Sequence, residues 1–318
     1  MDRRNAERMT QRSTIALTVA GSDSGAGAGI QADLKTFAAL GVHGASVVTA
    51  LTAQNTKGVW AIHYAPLDIV AAQIDAVLED FAVAAIKIGM LGTAEIVGAV
   101  AGNLPSPSGR GVGGEGVRAR HTARDSDLSS GELRSPPSPA RGKGKRAPFI
   151  VYDPVMIASS GDALSRAGFV DAVRRELLPI VDCLTPNLDE AAALLGDKVA
   201  GSESEMARQG AALLKLGPRA ALIKGGHLDG DEAIDLLVTE EGVRRYVAPR
   251  IASSNLHGTG CTLSSAIAGC AAHGMALPEA VATAKTFVGE AIERGRSLVL
   301  GGGPGPLIQI GIKPPRAF

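Results

Sequence analysis

Short apolar runs alternate with segments of helical spacing through most of this chain, and that alternation restricts the fold more than any other feature. Ile15 to Ala20 is apolar or small throughout and ends in Gly21-Ser22-Asp23-Ser24-Gly25-Ala26-Gly27-Ala28-Gly29. Ile30, Leu34, Phe37 and Ala38 then recur at helical spacing, so the glycines separate a buried strand from a helix. The pattern repeats. Residues 47–51, 84–88, 149–152, 183–184 and 220–223 read as strands, and residues 69–81, 93–102, 189–195 and 206–216 as helices, with Thr93 placed as an N-cap. A polar hairpin pairs 233–238 with 243–247 around Thr239-Glu240-Glu241-Gly242, and two helices close the chain, one Ala-rich after Gly258 and one over 278–294. Repeated strand–helix units predict an α/β fold with a mostly parallel central sheet and helices on both faces.

Composition agrees with that layout. Hydrophobic residues make up 45% of the 318 residues and aromatics only 3%, so the core rests on Val, Ile, Leu and Ala, as covered parallel sheets do. The net charge of zero argues against broad capture of nucleic acid or an anionic membrane. No apolar run reaches the roughly 20 residues of a membrane span. The polar start, Met1 to Arg12, lacks the apolar stretch of a signal peptide and is expected to be a flexible leader. Cys183, Cys261 and Cys270 form no CxxC pair and suit a reducing, cytoplasmic setting. Between Pro105 and Ala147 the composition shifts: eight Gly, seven Ser and five Pro fall in 43 residues, and Lys plus Arg outnumber Asp plus Glu nine to four. That stretch buries too little apolar surface to offset its ordering entropy and is expected to be a disordered insertion. It interrupts one domain, 13–318, and does not separate two.

The familiar phosphate loops are absent. No G-x-x-x-x-G-K-[ST] occurs, and Ile30 stands where a G-x-G-x-x-G motif beginning at Gly25 needs its third glycine, which weakens a dinucleotide reading. Gly258-Thr259-Gly260-Cys261 is more specific. It follows Ser253-Ser254-Asn255-Leu256-His257 and opens a helix of small residues. Glycines at a helix start allow close approach of a ligand, and the unpaired amides and the helix dipole favour an anion there. A transferring phosphoryl group needs that kind of charge stabilisation. Cys261, in the first turn, is expected to have a lowered thiol pKa and so to accept a proton. The alternative is a small buried apolar cysteine.

At these residues the chain resembles the ribokinase-like superfamily and, within it, the hydroxymethylpyrimidine/phosphomethylpyrimidine kinases of thiamine biosynthesis. The matching stretches are Ala20–Asp33, Thr49–Thr56, Lys87–Leu91, Asp153–Met156, Thr185-Pro186-Asn187 with Glu190, Lys224–His227 and His257–Thr262. The resemblance implies a three-layer sandwich and ATP-dependent phosphorylation of 4-amino-5-hydroxymethyl-2-methylpyrimidine, then of its monophosphate. It further implies a homodimer, and a catalytic group of Gly258, Thr259, Gly260 and Cys261. Gly21, Asp33, Gln54 and Met90 would contact the pyrimidine, with Gln54 offering an amide donor and acceptor to its edge. Asp153, Thr185, Asn187 and Lys224 would serve ATP, and Glu190 would organise Mg²⁺ and its waters. His227 and His257 are polar loop residues flanking the site.

Alternatives stay open for several of these. Asp33 as easily solvates a helix, Met90 fills a core, Glu190 favours a helix dipole, Asn187 caps and Lys224 is simply exposed. A pyridoxine-type kinase of the same fold is the nearest rival function.

Overall fold

The computed structural model describes residues 13–105, 147–156, 164–226 and 230–312. The leader 1–12, the body of the insertion and His227 lie outside the described residues. The elements run β1 (Ile15–Asp23), α1 (Gly29–Ala39), β2 (His43–Asn55), β3 (Gly58–Tyr64), α2 (Leu67–Asp80), β4 (Val83–Ile88), α3 (Ala94–Asn103) and β5 (Phe149–Tyr152). After these come α4 (Phe169–Ala172), β6 (Cys183–Leu184), α5 (Leu188–Leu195), α6 (Glu203–Leu214), β7 (Ala220–Lys224), β8 (Glu232–Thr239), β9 (Gly242–Pro249), α7 (Thr259–Ala272) and α8 (Leu277–Gly295).

All nine strands join one sheet in the order β3-β2-β1-β4-β5-β6-β7-β8-β9. The six strands from β2 to β7 in that order are parallel, and β3, β8 and β9 pair antiparallel at the two ends. This is the three-layer, mostly parallel arrangement expected of the sequence. Two elements go unannounced by periodicity. β3, GVWAIHY, is half exposed on both faces and shows no apolar alternation. Helical turns from Phe169 to Ile180 continue α4 through a widened turn and a tight one.

Alternation in β1 explains the two core layers. Leu17 and Val19 pack with Ile74, Ile86, Ile96 and Leu188 on one face, under α2, α3 and α5. Ala16 packs with Phe37, Leu40, Ile267 and Ala284 on the other, under α1, α7 and α8. Small residues make the second layer thin. Gly269, Ala266 and Ala268 let α7 lie close on α1 and the central strands, where a Cβ on Gly269 would crowd Leu40. The order reverses at β1, whose neighbours β2 and β4 lie on opposite sides. In open parallel sheets such a reversal leaves a crevice at the strands' carboxyl ends. Asp23, Gly89, Asp153, Thr185 and Lys224 end or follow β1, β4, β5, β6 and β7 at that edge.

Candidate active site

The turn after β1 is built around Asp23. Its Oδ1 accepts the Gly25 amide at 2.8 Å, and its Oδ2 accepts the amides of Gly27 and Ala28 at 3.0 and 2.9 Å. Burial opposes this charge, but the His257 contact and the loop amides outweigh it and hold the carboxyl below its usual range. Gly258 adopts φ +87°, and a side chain there would strike the carbonyl oxygen of Gly27. The two glycine segments, far apart in sequence, therefore lie against each other, and His257 Nε2 meets Asp23 Oδ2 at 2.9 Å across the seam.

Within the late turn, Leu256 O accepts both the Thr259 amide, at 3.2 Å, and the Thr259 hydroxyl, at 2.6 Å. Thr259 is thereby held as a turn residue. The amides of Gly260 and Cys261 have no acceptor among the described residues. They are the donors that the start of α7 leaves for an anion. A Cβ on Gly260 would lie 3.1 Å from Lys224 Nζ and 3.4 Å from Asp153 Oδ2, so the anion turn faces a charged cluster.

That cluster is buried. Lys224 Nζ donates to Asp153 Oδ1 at 2.7 Å and stands 3.8 Å from Glu190 Oε2. The Thr185 hydroxyl lies 3.5 Å from the same Asp153 oxygen. Burial works against the Lys224 charge, yet Asp153 and Glu190 carry its pKa above the ordinary range. Burial pushes the Glu190 carboxyl up to about 7, against the pull of Lys224. Asn187 and Glu190 form a reciprocal capping box at the start of α5, each side chain accepting the other's amide at 2.8 Å. The Asn187 carbonyl amide is thus engaged in the cap, the alternative its residue type allowed.

On the other side of the turn, Gly21 lies against Met90, where a Cβ would be 3.1 Å from the sulfur. Met90 is buried with Ala50 and Leu164, beside Val59, Ile62 and Tyr64. A cavity of about 380 Å³ opens along those β3 residues and Arg166. Gln54 is half-buried at the end of β2, its Oε1 at 3.1 Å from the Thr52 hydroxyl and its Nε2 at 3.4 Å from His257 Nε2.

Two expectations need correction. Asp33 is fully buried, and its oxygens accept Lys87 Nζ at 2.9 Å, the Thr18 hydroxyl at 2.6 Å and the Ser265 hydroxyl at 2.6 Å. It is neither a solvated helix carboxylate nor open to a substrate. It holds Lys87 in place beneath α7. Cys261 is the second. Burial pushes its thiol up to about 11, although the Lys87 charge and the Gly29 amide pull the other way. The helix start does not by itself produce a thiolate, because desolvation exceeds the dipole here.

Asp23 and Lys87 lie inside the matching stretches, where the resemblance gives neither a role. Each carried a signal: an Asp directly before a glycine run is a turn-builder, and a Lys inside the apolar strand Ala84-Ala85-Ile86-Lys87-Ile88 needs a buried partner.

Comparison with known proteins agrees with this geometry. The family model described as phosphomethylpyrimidine kinase matches residues 23–112 and 140–307. A hydroxymethylpyrimidine/phosphomethylpyrimidine kinase of Rhizobium meliloti is 48% identical over 92% of this chain and 96% of its own. The phosphomethylpyrimidine kinase of Clostridium difficile superposes with a TM-score of 0.67 at 38% identity, over 87% of this chain and 99% of that one. The pyridoxal kinase of Staphylococcus aureus, in complex with AMP-PCP and pyridoxal, superposes with a TM-score of 0.75 at 28% identity, over 95% and 96%. A nine-stranded ribokinase-like sheet, two abutting glycine turns at its carboxyl edge and these matches together make the chain a small-molecule kinase that belongs to the phosphomethylpyrimidine kinase family.

Proposed function

We propose that the chain phosphorylates 4-amino-5-hydroxymethyl-2-methylpyrimidine and then its monophosphate, with ATP as donor and Mg²⁺ as the accompanying ion. The observation that supports this most is the seam itself. The free amides of Gly260 and Cys261 face Lys224 and Asp153, at the start of a helix whose cap residue Gly258 lies against Gly27 of the early glycine loop.

In this reading Gly21 and Met90 flank the ring and Gln54 takes its edge. The Gly258–Gly260 turn and Lys224 hold the phosphoryl oxygens, and Thr185 and Asn187 shape the nucleotide side. The hydroxymethyl oxygen bonds to the terminal phosphorus as the bond from that phosphorus to the bridging oxygen breaks. Cys261 accepts the hydroxyl proton only in its thiolate form, which the Lys87 charge favours and burial opposes more strongly. The donor set suits Mg²⁺, which takes one or two carboxylates with waters and phosphates. Asp153 and Glu190 supply two carboxylates, and no group of three or more ligating side chains occurs among the described residues. The Tyr152 hydroxyl, buried and without a partner among the described residues, is close enough to both for them to add to the rise that burial gives its pKa. The ion would neutralise developing phosphate charge.

ADP formation by the purified chain, assayed with the pyrimidine and with its monophosphate, tests the reading; no turnover of either would sink it. A pyridoxal kinase is the second reading, favoured by the likeness to the Staphylococcus aureus structure. It predicts a higher kcat/KM with pyridoxal than with the pyrimidine. A homodimer and a cytoplasmic site complete the proposal. The exposed edge strand β3, with Trp60 63% accessible, supports the first, and three free buried cysteines support the second. Light scattering of the purified chain measures the first. No described helix is long and apolar enough to cross a membrane.

A further inference from the structure

From sequence, His257 is expected to be a polar loop residue that flanks the site and contacts phosphate or substrate. Its ring is nevertheless fixed on several sides. The backbone amide donates to Gly305 O at 3.2 Å, and the residue bridges to Pro306. Gly27 leaves room for the imidazole, since any side chain there would collide with it. Nε2 then faces two groups: Asp23 Oδ2 at 2.9 Å and the Gln54 amide at 3.4 Å.

Donor and acceptor rules restrict how these three groups fit together. Asp23 Oδ2 already accepts two backbone amides, as an ionised carboxylate does, so His257 Nε2 carries the proton and donates to it. A Gln54 NH₂ turned toward that nitrogen sets donor against donor. At the other end of the amide, Thr52 has one hydroxyl proton and two acceptors, Ser22 O at 3.0 Å and Gln54 Oε1 at 3.1 Å. Half a turn of the amide removes the donor–donor contact. Gln54 Oε1 then takes the longer arm of a three-centre bond from the one His257 Nε2–H, whose shorter arm goes to Asp23, and Gln54 Nε2 donates to the Thr52 oxygen, whose proton goes to Ser22 O. Only that orientation sets no donor against a donor.

We propose that His257 is a specificity-determining residue: by donating from Nε2 to Asp23 and Gln54 it fixes the Gln54 amide with its carbonyl toward the glycine seam, and so sets the donor–acceptor order that the site offers to a pyrimidine edge. This rests on the reading that Gln54 contacts the pyrimidine. An aminopyrimidine presents an amino donor beside a ring-nitrogen acceptor. Its oxo counterpart presents a carbonyl acceptor beside a ring N–H donor, the reverse order. A fixed amide separates the two, whereas an amide free to turn serves both.

The test compares kcat/KM for the 4-amino substrate with that for its 4-oxo analogue in the intact chain, and KM for ATP in each variant. His257→Leu is expected to lower the amino-over-oxo preference about tenfold, roughly the worth of one or two buried hydrogen bonds, while KM for ATP stays within about twofold. His257→Gln, which retains an N–H donor, restores most of the preference. Equal losses on both pyrimidines, or an unchanged preference in His257→Leu, overturns the proposal. Thermal unfolding of each variant is recorded, and a His257→Leu chain that fails to fold shifts the decision to His257→Phe under the same criteria. Gln54→Leu separates the two levels. If it leaves the preference intact, the Gln54 reading itself fails. If it abolishes the preference and the His257 variants do not, only the present proposal fails.

Discussion

Single residues in this site divide by what their charge faces. Cys261 is buried among Lys87, Asp33 and Asp153, and its thiol is raised to about 11 even with the Lys87 charge beside it, so only its minor thiolate form acts as a base. Cys261→Ala is expected to lower kcat about 100-fold or more, with pyrimidine KM within about threefold, because a general base acts in the transition state and not in binding. Steady-state kinetics check this, and an unchanged kcat assigns the chemistry to the backbone amides alone. Lys87 and Asp33 are both fully buried and paired at 2.9 Å. Lys87→Met leaves an uncompensated buried carboxylate and is expected to cost about 3–5 kcal/mol in urea unfolding. The exposed pair of Arg245 with Glu203 is a contrast: Arg245→Ala is expected to cost about 1 kcal/mol or less.

At the scale of elements, the start of α7 is where backbone shape and function coincide. Gly258 is its N-cap residue in the left-handed region, with no room for a Cβ against Gly27 O. Gly258→Ala is expected to push the two glycine turns apart and to destabilise the fold by about 1–3 kcal/mol, with a larger loss in kcat/KM than stability explains. Denaturant unfolding and kinetics on the same preparation separate the two effects. The motifs at this element were legible because glycine, small residues and a helix start are local signals. Its depth was not. Ten consecutive residues of α7, Cys261 to Cys270, are buried, and that depends on which helices and strands pack around it. The raised Cys261 pKa follows from the same packing, which is why a local rule about helix starts gave the wrong direction.

For the whole molecule, β4 and β5 are adjacent parallel strands, although the segment from 105 to 147 separates α3 from β5 in sequence. The sheet therefore closes without needing that segment's composition. Replacing residues 106–146 by a short Gly-Ser linker is expected to leave kcat/KM within about twofold and to shift Tm by only a few degrees, since loop-closure entropy changes slowly with length. A large loss of either would assign the segment a structural or catalytic part. The parallel order at the centre was readable from repeated strand–helix units. The antiparallel edge β3 was not, because a half-exposed strand obtains its place from its neighbour β2 and leaves no alternation of its own.

The sequence alone determined the α/β layering, the two glycine turns, the kinase resemblance and the residue types that surround a phosphoryl group. Those are carried by periodicity and by short motifs, which act within a few residues of themselves. Only the tertiary structure decided what each charge faces. It turned Asp33 inward to Lys87, raised the Cys261 thiol, set Asn187 and Glu190 as a cap beside Lys224, and brought His257 to Asp23 across 234 positions of chain. Burial and pairing between distant residues fix protonation and orientation, and neither is written in the local sequence.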